Sequence, residues 1–204
     1  MQKIKNIIFD LGGVFLDIDF KQAALAFAEL GVDDFSEYYT LHTLSPLFEK
    51  LETGVVTPED FYDEFRKLVK LPLTDYEIMN AWNALLLGFP RERIHWLEEI
   101  SKRYNIYLLS NTNEIHYSAF INMFKEKIDN KNLDELFIKT YYSHKMGLRK
   151  PSKEIFEAVL KAENLNPAET VFIDDSLANI EAAISTGLQT IHLHSPKTVL
   201  ELDL

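Results

Sequence analysis

The sequence predicts an α/β fold: a doubly wound parallel sheet core with an inserted helical-bundle cap. Two observations lead to this prediction. Short β-branched and aromatic runs, typical of strands buried on both faces, alternate with helical patterns after residue 91. Residues 17–87 instead show helical patterns and no strand pattern. Strands separated by helices imply right-handed crossovers, and therefore a parallel sheet with helices on both faces.

Composition limits the class of protein. The 204 residues are 47% apolar and 26% charged, which suits a globular protein with one domain and an insertion, or with two small domains. The absence of cysteine excludes disulfides, thiolate metal sites and a cysteine nucleophile. A net charge of −11 argues against a nucleic-acid partner, because phosphate backbones require a basic surface. Without a membrane-length apolar run or a leader pattern, we expect a cytoplasmic protein with no membrane partner, as a monomer or weak homodimer.

The first strand ends in a candidate catalytic carboxylate. Residues 4–9 form a short pattern typical of a buried strand, and Asp10 follows directly. Buried parallel strands end in the crevice where open α/β sheets bind their ligands. Gly12 and Gly13 come next and, because they lack a Cβ, allow a sharp turn and a close approach to a ligand or metal.

The segment 17–87 is predicted to form the cap. Its helical patterns cover residues 21–30, 57–70 and 74–87. The apolar positions expected to pack its small bundle are Phe27, Phe61, Phe65, Leu68, Ile78, Trp82 and Leu85. We therefore expect a discontinuous core, made of residues 1–16 and 88–204, with hinges near 16–19 and 87–90.

Three later strands are followed by polar residues. The strand patterns cover residues 106–109, 137–142, 170–173 and 189–193. Ser110 and Asn111 follow the first of these, Lys150 lies in the loop after the second, and Asp174 and Asp175 follow the third. Because the carboxyl ends of parallel strands share one edge, we expect these side chains to meet the carboxylate of the first strand there.

The residue types of this set favour phosphoryl chemistry. Three carboxylates form a hard oxygen-ligand site, which fits Mg²⁺ best. Ser110 and neighbouring amide groups can hold a phosphate oxygen, and Lys150 supplies a positive charge. A carboxylate can then attack the neutralised phosphoryl group, forming an aspartyl-phosphate that water opens. Each part also has a structural interpretation: Asp175 or Ser176 as a helix cap, Lys150 as an exposed lysine, and Ser110-Asn111 as a turn.

Four motifs resemble those of a known family. They are Phe-Asp-Leu-Gly-Gly-Val at 9–14, Leu-Ser-Asn-Thr at 109–112, Arg-Lys-Pro at 149–151 and Ile-Asp-Asp-Ser at 173–176. Their order resembles the motifs of the haloacid dehalogenase-like (HAD) hydrolase superfamily, in the branch that contains bacterial α-glucose-1-phosphate phosphatase. The resemblance implies a Rossmann-like core, a helical cap over the site, and a Mg²⁺-dependent phosphatase for a small phosphate ester, such as a hexose 1-phosphate.

The resemblance also implies a role for each motif residue. Asp10 would be the nucleophile, and Lys150 would be catalytic by holding the nucleophile and the phosphoryl group. The metal ligands would be Asp10, Gly12 through its backbone carbonyl, Asp174 and Asp175. The phosphoryl group would be bound by Ser110, Asn111 and Lys150.

One position departs from the family pattern. Most phosphatases of the family carry a second aspartate, a general acid and base, two residues after the nucleophile, where this chain has Gly12. Because acid–base catalysis typically contributes about 10²- to 10⁴-fold, either another group acts in place of the missing aspartate or the substrate needs less help, as a sugar 1-phosphate with its more acidic leaving group would. Asp17 and Asp19 follow closely, but they are expected at the cap hinge and at the start of the first cap helix.

Two other functions stay open. A 2-haloacid dehalogenase also uses an aspartate nucleophile without the second aspartate, but the pair Asp174-Asp175 argues against it, since adjacent carboxylates repel unless a cation lies between them. The other is a catalytically impaired protein that binds a phosphorylated ligand. Five histidines show no metal-ligand spacing and are expected to be structural or exposed: His42, His95, His116, His192 and His194. His144 shares the loop of Lys150.

Overall fold

A computed structural model describes residues 3–40 and 44–204. Its strands are β1 (Asn6–Phe9), β2 (Asp17–Ile18), β3 (Leu86–Gly88), β4 (Asn105–Ser110), β5 (Lys139–Tyr142), β6 (Thr170–Asp174) and β7 (Gln189–His192). Its α-helices are α1 (Phe20–Glu29), α2 (Pro46–Glu52), α3 (Pro58–Val69), α4 (Asp75–Asn83), α5 (Arg91–Ile100), α6 (Glu114–Lys127), α7 (Ser143–Met146), α8 (Lys153–Ala162) and α9 (Leu177–Ile184). The expectation for His42 lies outside the described residues.

The core is a parallel sheet in the order β5-β4-β1-β6-β7. Side chains alternate along β1, so Ile7 and Phe9 pack on the side that carries α5 and α6, while Ile8 packs on the side of α8 and α9. This arrangement confirms the predicted doubly wound α/β fold. The strand order reverses beside β1, between β1 and β6, and ligands bind at such a point in folds of this kind.

The inserted segment carries α1 to α4 around an aromatic cluster. Phe27, Phe35, Phe48 and Trp82 are fully or almost fully buried, and the Phe27 and Phe35 rings stack at 4.1 Å. The sequence indicated neither α2 nor Phe35 in this cluster. Leu68, which was expected in the bundle, is 43% exposed, so that prediction is wrong. The division into a core and a cap with the stated boundaries stays a prediction.

The expectation of no strand within 17–87 is wrong. The helix predicted to reach residue 87 ends at Asn83, and β3 then pairs antiparallel with β2. The backbone N–H of Asp19 also donates to the carbonyl of Leu85 at 2.9 Å. The pairing of β2 with β3, which lie where the chain enters and leaves the inserted segment, therefore overrides the local helical pattern. No helix within the described parts of the chain is both long and apolar enough to cross a membrane.

Candidate active site

Three carboxylates meet at the carboxyl ends of β1 and β6. Asp10 directly follows β1, Asp174 is the last residue of β6, and Asp175 comes next. Each offers one ligand oxygen, and these atoms all lie within 4.8 Å of one another. Adjacent parallel strands produce this proximity, since the backbone N–H of Asp10 also donates to the Ile173 carbonyl at 2.9 Å. A set of oxygen donors at this spacing fits a hard divalent cation such as Mg²⁺.

Lys150 lies between two of these carboxylates. Its Nζ is 2.7 Å from Asp10 Oδ1 and 2.7 Å from Asp174 Oδ2, and the residue is 1% exposed. Burying a charge is costly unless it is paired, and the two ion pairs satisfy that condition. One lysine opposes three carboxylates, so a bound cation would reduce the excess negative charge.

Burial first, and the neighbouring negative charges second, shift the ionisation of the cluster. Burial, with the charges of Asp174 and Asp175, outweighs Lys150 and raises the pKa of Asp10 to about 7. Burial and the charge of Asp174 raise the pKa of Asp175 to about 6. Burial opposes the charged form of Lys150, but the carboxylates of Asp10 and Asp174 together raise its pKa. Metal binding must therefore compete with protons at two of the three carboxylates.

Ser110 and Asn111 lie beside this cluster, at the end of β4. Both line the cavity that lies over the three carboxylates. The side chain of Asn111 bonds with the backbone of Lys150 in both directions, at 2.8 and 2.9 Å. A role for Asn111 in substrate binding would therefore fall to its backbone. Ser143 supports the next residue, because its Oγ accepts from Thr112 N–H at 2.9 Å and donates to the Thr112 carbonyl at 2.8 Å.

Gly12 and Gly13 have different structural requirements. Gly13 has a φ of +72°, and a Cβ added there would lie 2.2 Å from Asp175 Oδ2, so only glycine suits the position. Gly12 lines the cavity, and a Cβ there would lie 3.1 Å from Cδ1 of Ile18. Ile18 belongs to β2, so an apolar side chain from the inserted segment borders the position where most family phosphatases are expected to carry an acid.

Two residues support the cluster: sequence reasoning missed Asn179, and it expected His192 only to be structural or exposed. Asn179 in α9 donates its side-chain amide to both carboxylate oxygens of Asp174, at 3.1 and 3.0 Å. His192 Nε2 lies 3.0 Å from the backbone carbonyl of Asp175. Partners of this kind orient metal ligands. The only signal for Asn179 was its place in the first turn of a helix that opens directly after the acidic pair.

A cavity of about 290 Å³ lies over the cluster. Asp17 and Asp19 do not line it: Asp17 pairs with Arg93 at 2.7 Å, and Asp19 caps α1, as expected for the first cap helix. His144 is also outside it, 3.2 Å from Glu114. His116 does border the cavity, but it is buried against Trp82, and burial lowers its pKa to about 4.

The fold and this cluster define a member of a known family of hydrolases. The chain belongs to the haloacid dehalogenase-like hydrolases, whose family model matches residues 4–187. The predicted superfamily and enzyme class are therefore confirmed, whereas the α-glucose-1-phosphate phosphatase branch stays a prediction.

Individual relatives are phosphatases by name. The chain is 34% identical over 187 residues to D-ribitol-5-phosphate phosphatase of Bacteroides thetaiotaomicron, with 92% of this chain and 90% of that protein covered. It is 27% identical over 200 residues to a sesquiterpene phosphatase of Aspergillus oryzae, with 97% and 94% covered.

Solved structures show the same likeness. A HAD family enzyme of Bacteroides thetaiotaomicron, crystallised as an aspartate-to-alanine mutant with magnesium and inorganic phosphate, matches with a TM-score of 0.90 at 34% identity, covering 95% of each chain. A dehalogenase matches with a TM-score of 0.55 at 15% identity, covering 96% of this chain and 87% of that one, which shows the fold alone.

Proposed function

We propose that the protein is a Mg²⁺-dependent phosphatase that hydrolyses a small phosphorylated metabolite through an aspartyl-phosphate. The observation that carries the proposal is the convergence of Asp10, Asp174 and Asp175 with Lys150 at one cavity. The solved relative that binds magnesium and inorganic phosphate supports it, as does the D-ribitol-5-phosphate phosphatase.

The three convergent carboxylates fit a magnesium ion. Asp10, Asp174 and Asp175 would hold it through carboxylate oxygens, and Gly12 through its backbone carbonyl. When bound, the ion would supply positive charge that offsets the phosphoryl oxygens and the clustered carboxylates. Ser110 and the backbone of Asn111 would bind phosphoryl oxygens, and Lys150 would orient both Asp10 and the phosphoryl group.

Asp10 would act as the nucleophile. One of its carboxylate oxygens would form a bond to phosphorus while the bond from phosphorus to the ester oxygen breaks, releasing the alcohol after it gains a proton. Water would then cleave the acyl phosphate, restoring the carboxylate and releasing inorganic phosphate. Lys150 holds Asp10 Oδ1 at 2.7 Å, so the nucleophile is oriented before substrate binds.

The carboxylate cluster also favours a phosphatase over a 2-haloacid dehalogenase. Such an enzyme has no use for a cation site, whereas here three carboxylates crowd within 4.8 Å around a single lysine. Without a cation, their repulsion would also disfavour a substrate that is itself a carboxylate. Release of chloride from 2-chloropropionate would contradict this argument.

The test is a phosphate-release screen with and without Mg²⁺. The panel should include hexose 1-phosphates, D-ribitol 5-phosphate, nucleotides and glycolytic intermediates. We expect turnover only with the metal and none in the Asp10→Asn variant, which keeps the shape of the side chain. Turnover in metal-chelated buffer would refute the proposal. Binding of phosphate esters without any turnover would favour the phospho-ligand-binding alternative.

A further inference from the structure

A polar cluster built around one buried carboxylate lines part of the catalytic cavity. It consists of Tyr39, Glu52 and Arg149, all of which line the cavity that also contains Asp10 and Lys150. Glu52, the last residue of α2, is 3% exposed. Its Oε1 accepts a hydrogen bond from the Tyr39 hydroxyl at 2.8 Å, and its Oε2 accepts one from Arg149 Nε at 2.9 Å.

A buried carboxylate in this place needs a reason. Burial of an ion pair is often no more stabilising than an apolar pair of the same size, so stability alone does not explain it. The surrounding cap surface of the cavity is largely apolar and includes Phe20, Leu44 and Leu86. A few polar groups in an otherwise apolar pocket are the usual means of orienting a ligand and selecting it.

The cluster retains unused hydrogen-bonding capacity. Arg149 uses only Nε on Glu52, and no described residue accepts a hydrogen bond from its two terminal nitrogens. Each carboxylate oxygen of Glu52 can accept more than one bond. Donors and acceptors therefore lie next to each other, as adjacent hydroxyl groups require, since a hydroxyl both donates and accepts. The paired charges cancel, which gives no net attraction for a second anionic group.

Resting on the proposed phosphatase function, we infer that Glu52, Arg149 and Tyr39 are specificity-determining residues that bind the hydroxyl groups of a polyhydroxylated alcohol, an alditol or sugar phosphate. An apolar alcohol would displace water from the terminal nitrogens of Arg149 and from Glu52 without replacing its hydrogen bonds, which a site built for hydroxyls penalises strongly. Arg149 immediately precedes Lys150, so a residue that would bind the alcohol is joined directly to the residue that holds the nucleophile.

A second contact fixes the position of the cluster. A Cβ added at Gly54, two residues beyond Glu52, would lie 2.1 Å from the backbone carbonyl of His144. The end of α2 and the turn after it therefore touch the segment 144–149 at two points, Glu52 with Arg149 and Gly54 with His144. This contact holds Glu52 at a defined distance from the phosphoryl site, as positioning of a substrate requires.

The test compares matched pairs of esters with the full chain and Mg²⁺. D-ribitol 5-phosphate is paired with pentyl phosphate, and D-glucitol 6-phosphate with hexyl phosphate, which keep the carbon skeleton and the primary ester but lack the hydroxyls. The wild type should prefer the hydroxylated ester in at least one pair. Glu52→Gln and Tyr39→Phe should lower that preference, measured as a ratio of kcat/KM, by about 10- to 100-fold and about 3- to 10-fold, mainly through KM.

Glu157→Gln is the matched control, because Glu157 is about half exposed and pairs with Lys153 on the surface of α8. A purely structural role would lower kcat/KM for both esters of a pair alike. That result, or a wild type without preference, would overturn the inference but not the proposed phosphatase function. If the wild type hydrolyses none of the four esters but releases phosphate from another ester of the screening panel, the inference fails and the phosphatase proposal stands. If it hydrolyses no ester at all, both fail. Tyr39→Phe removes a single oxygen, so it decides the question even if Glu52→Gln does not fold.

Discussion

Magnesium should stabilise the folded protein near neutral pH, and this stabilisation should nearly disappear in mild acid. The cation competes with protons at Asp10 and Asp175, whose pKa values burial and neighbouring charge raise to about 7 and about 6. If the two groups titrate independently, the fraction of molecules with both ionised falls by about 100-fold between about pH 7.5 and about pH 5.5. The apparent affinity for Mg²⁺ should fall by the same factor.

The corresponding change in stability can be measured. At a concentration about 100 times the dissociation constant at the higher pH, binding contributes about 2.7 kcal/mol, and the same concentration at the lower pH contributes about 0.4 kcal/mol. For a chain of this length each kcal/mol moves Tm by about 2–4 °C, so we expect increments of about 5–10 °C and about 1 °C.

The metal-free protein should show the opposite trend. A carboxyl group whose folded pKa is raised holds a proton that the unfolded chain has already released. The stability it contributes is therefore present below about pH 4 and lost as the pH rises through about 6 to 7. As the pH rises through this range, the Tm of the metal-free protein should therefore fall, while the increment that magnesium adds to Tm should grow.

Thermal unfolding by circular dichroism, at constant ionic strength, measures both trends. Asp175→Asn should lose the magnesium increment at the higher pH, and the surface variant Glu157→Gln should keep it. Equal increments at both pH values, or a full increment in Asp175→Asn, would refute the assignment of the carboxylates to a metal site.

Three further predictions concern the supports of the site. Gly13→Ala should abolish the magnesium increment, because its Cβ would displace Asp175, whereas Gly147→Ala, with a similar φ of +68° and nothing within 4 Å, should only lower Tm; equal loss in both would contradict this. Asn179→Ala should weaken Mg²⁺ binding by about 10- to 100-fold in calorimetry, and a change below about threefold would refute its supporting role. Ser143→Ala should lower the free energy of unfolding by about 1–3 kcal/mol in urea, since Thr112 N–H loses its partner; an unchanged midpoint would count against it.

The sheet could be predicted because its signals are local. The apolar run before Asp10 and the one before Asp174 each indicate a buried strand, and the parallel topology alone then brings their ends together. The cap carried weaker signals. The β2–β3 pair joins Asp17 to Gly88, and nothing in the short runs around either residue indicates a partner so far along the chain.

Contacts that a side chain makes with a residue distant in sequence were the least predictable. Glu52 reaches Arg149 across 97 positions, and Ser143 reaches Thr112 across 31. Neither pair has a periodic or motif signal, because each depends on how the inserted helices and the loop after β5 pack in three dimensions. Asn111 shows the same limit, since its motif implied a phosphate contact while the side chain instead holds the backbone of Lys150.

Gly12 connects the chemistry to the choice of substrate. The family resemblance implies that most phosphatases carry a proton donor at this position, and its loss should cost about 10²- to 10⁴-fold where the leaving group needs protonation. The rate should therefore rise steeply with the acidity of the leaving alcohol. Gly12→Asp should flatten that dependence, but its Cβ would lie 3.1 Å from Ile18 Cδ1, so it should be combined with Ile18→Ala, which alone serves as the control. In a series of alkyl and sugar 1-phosphates, kcat independent of leaving-group acidity in the wild type would show that another residue already donates the proton.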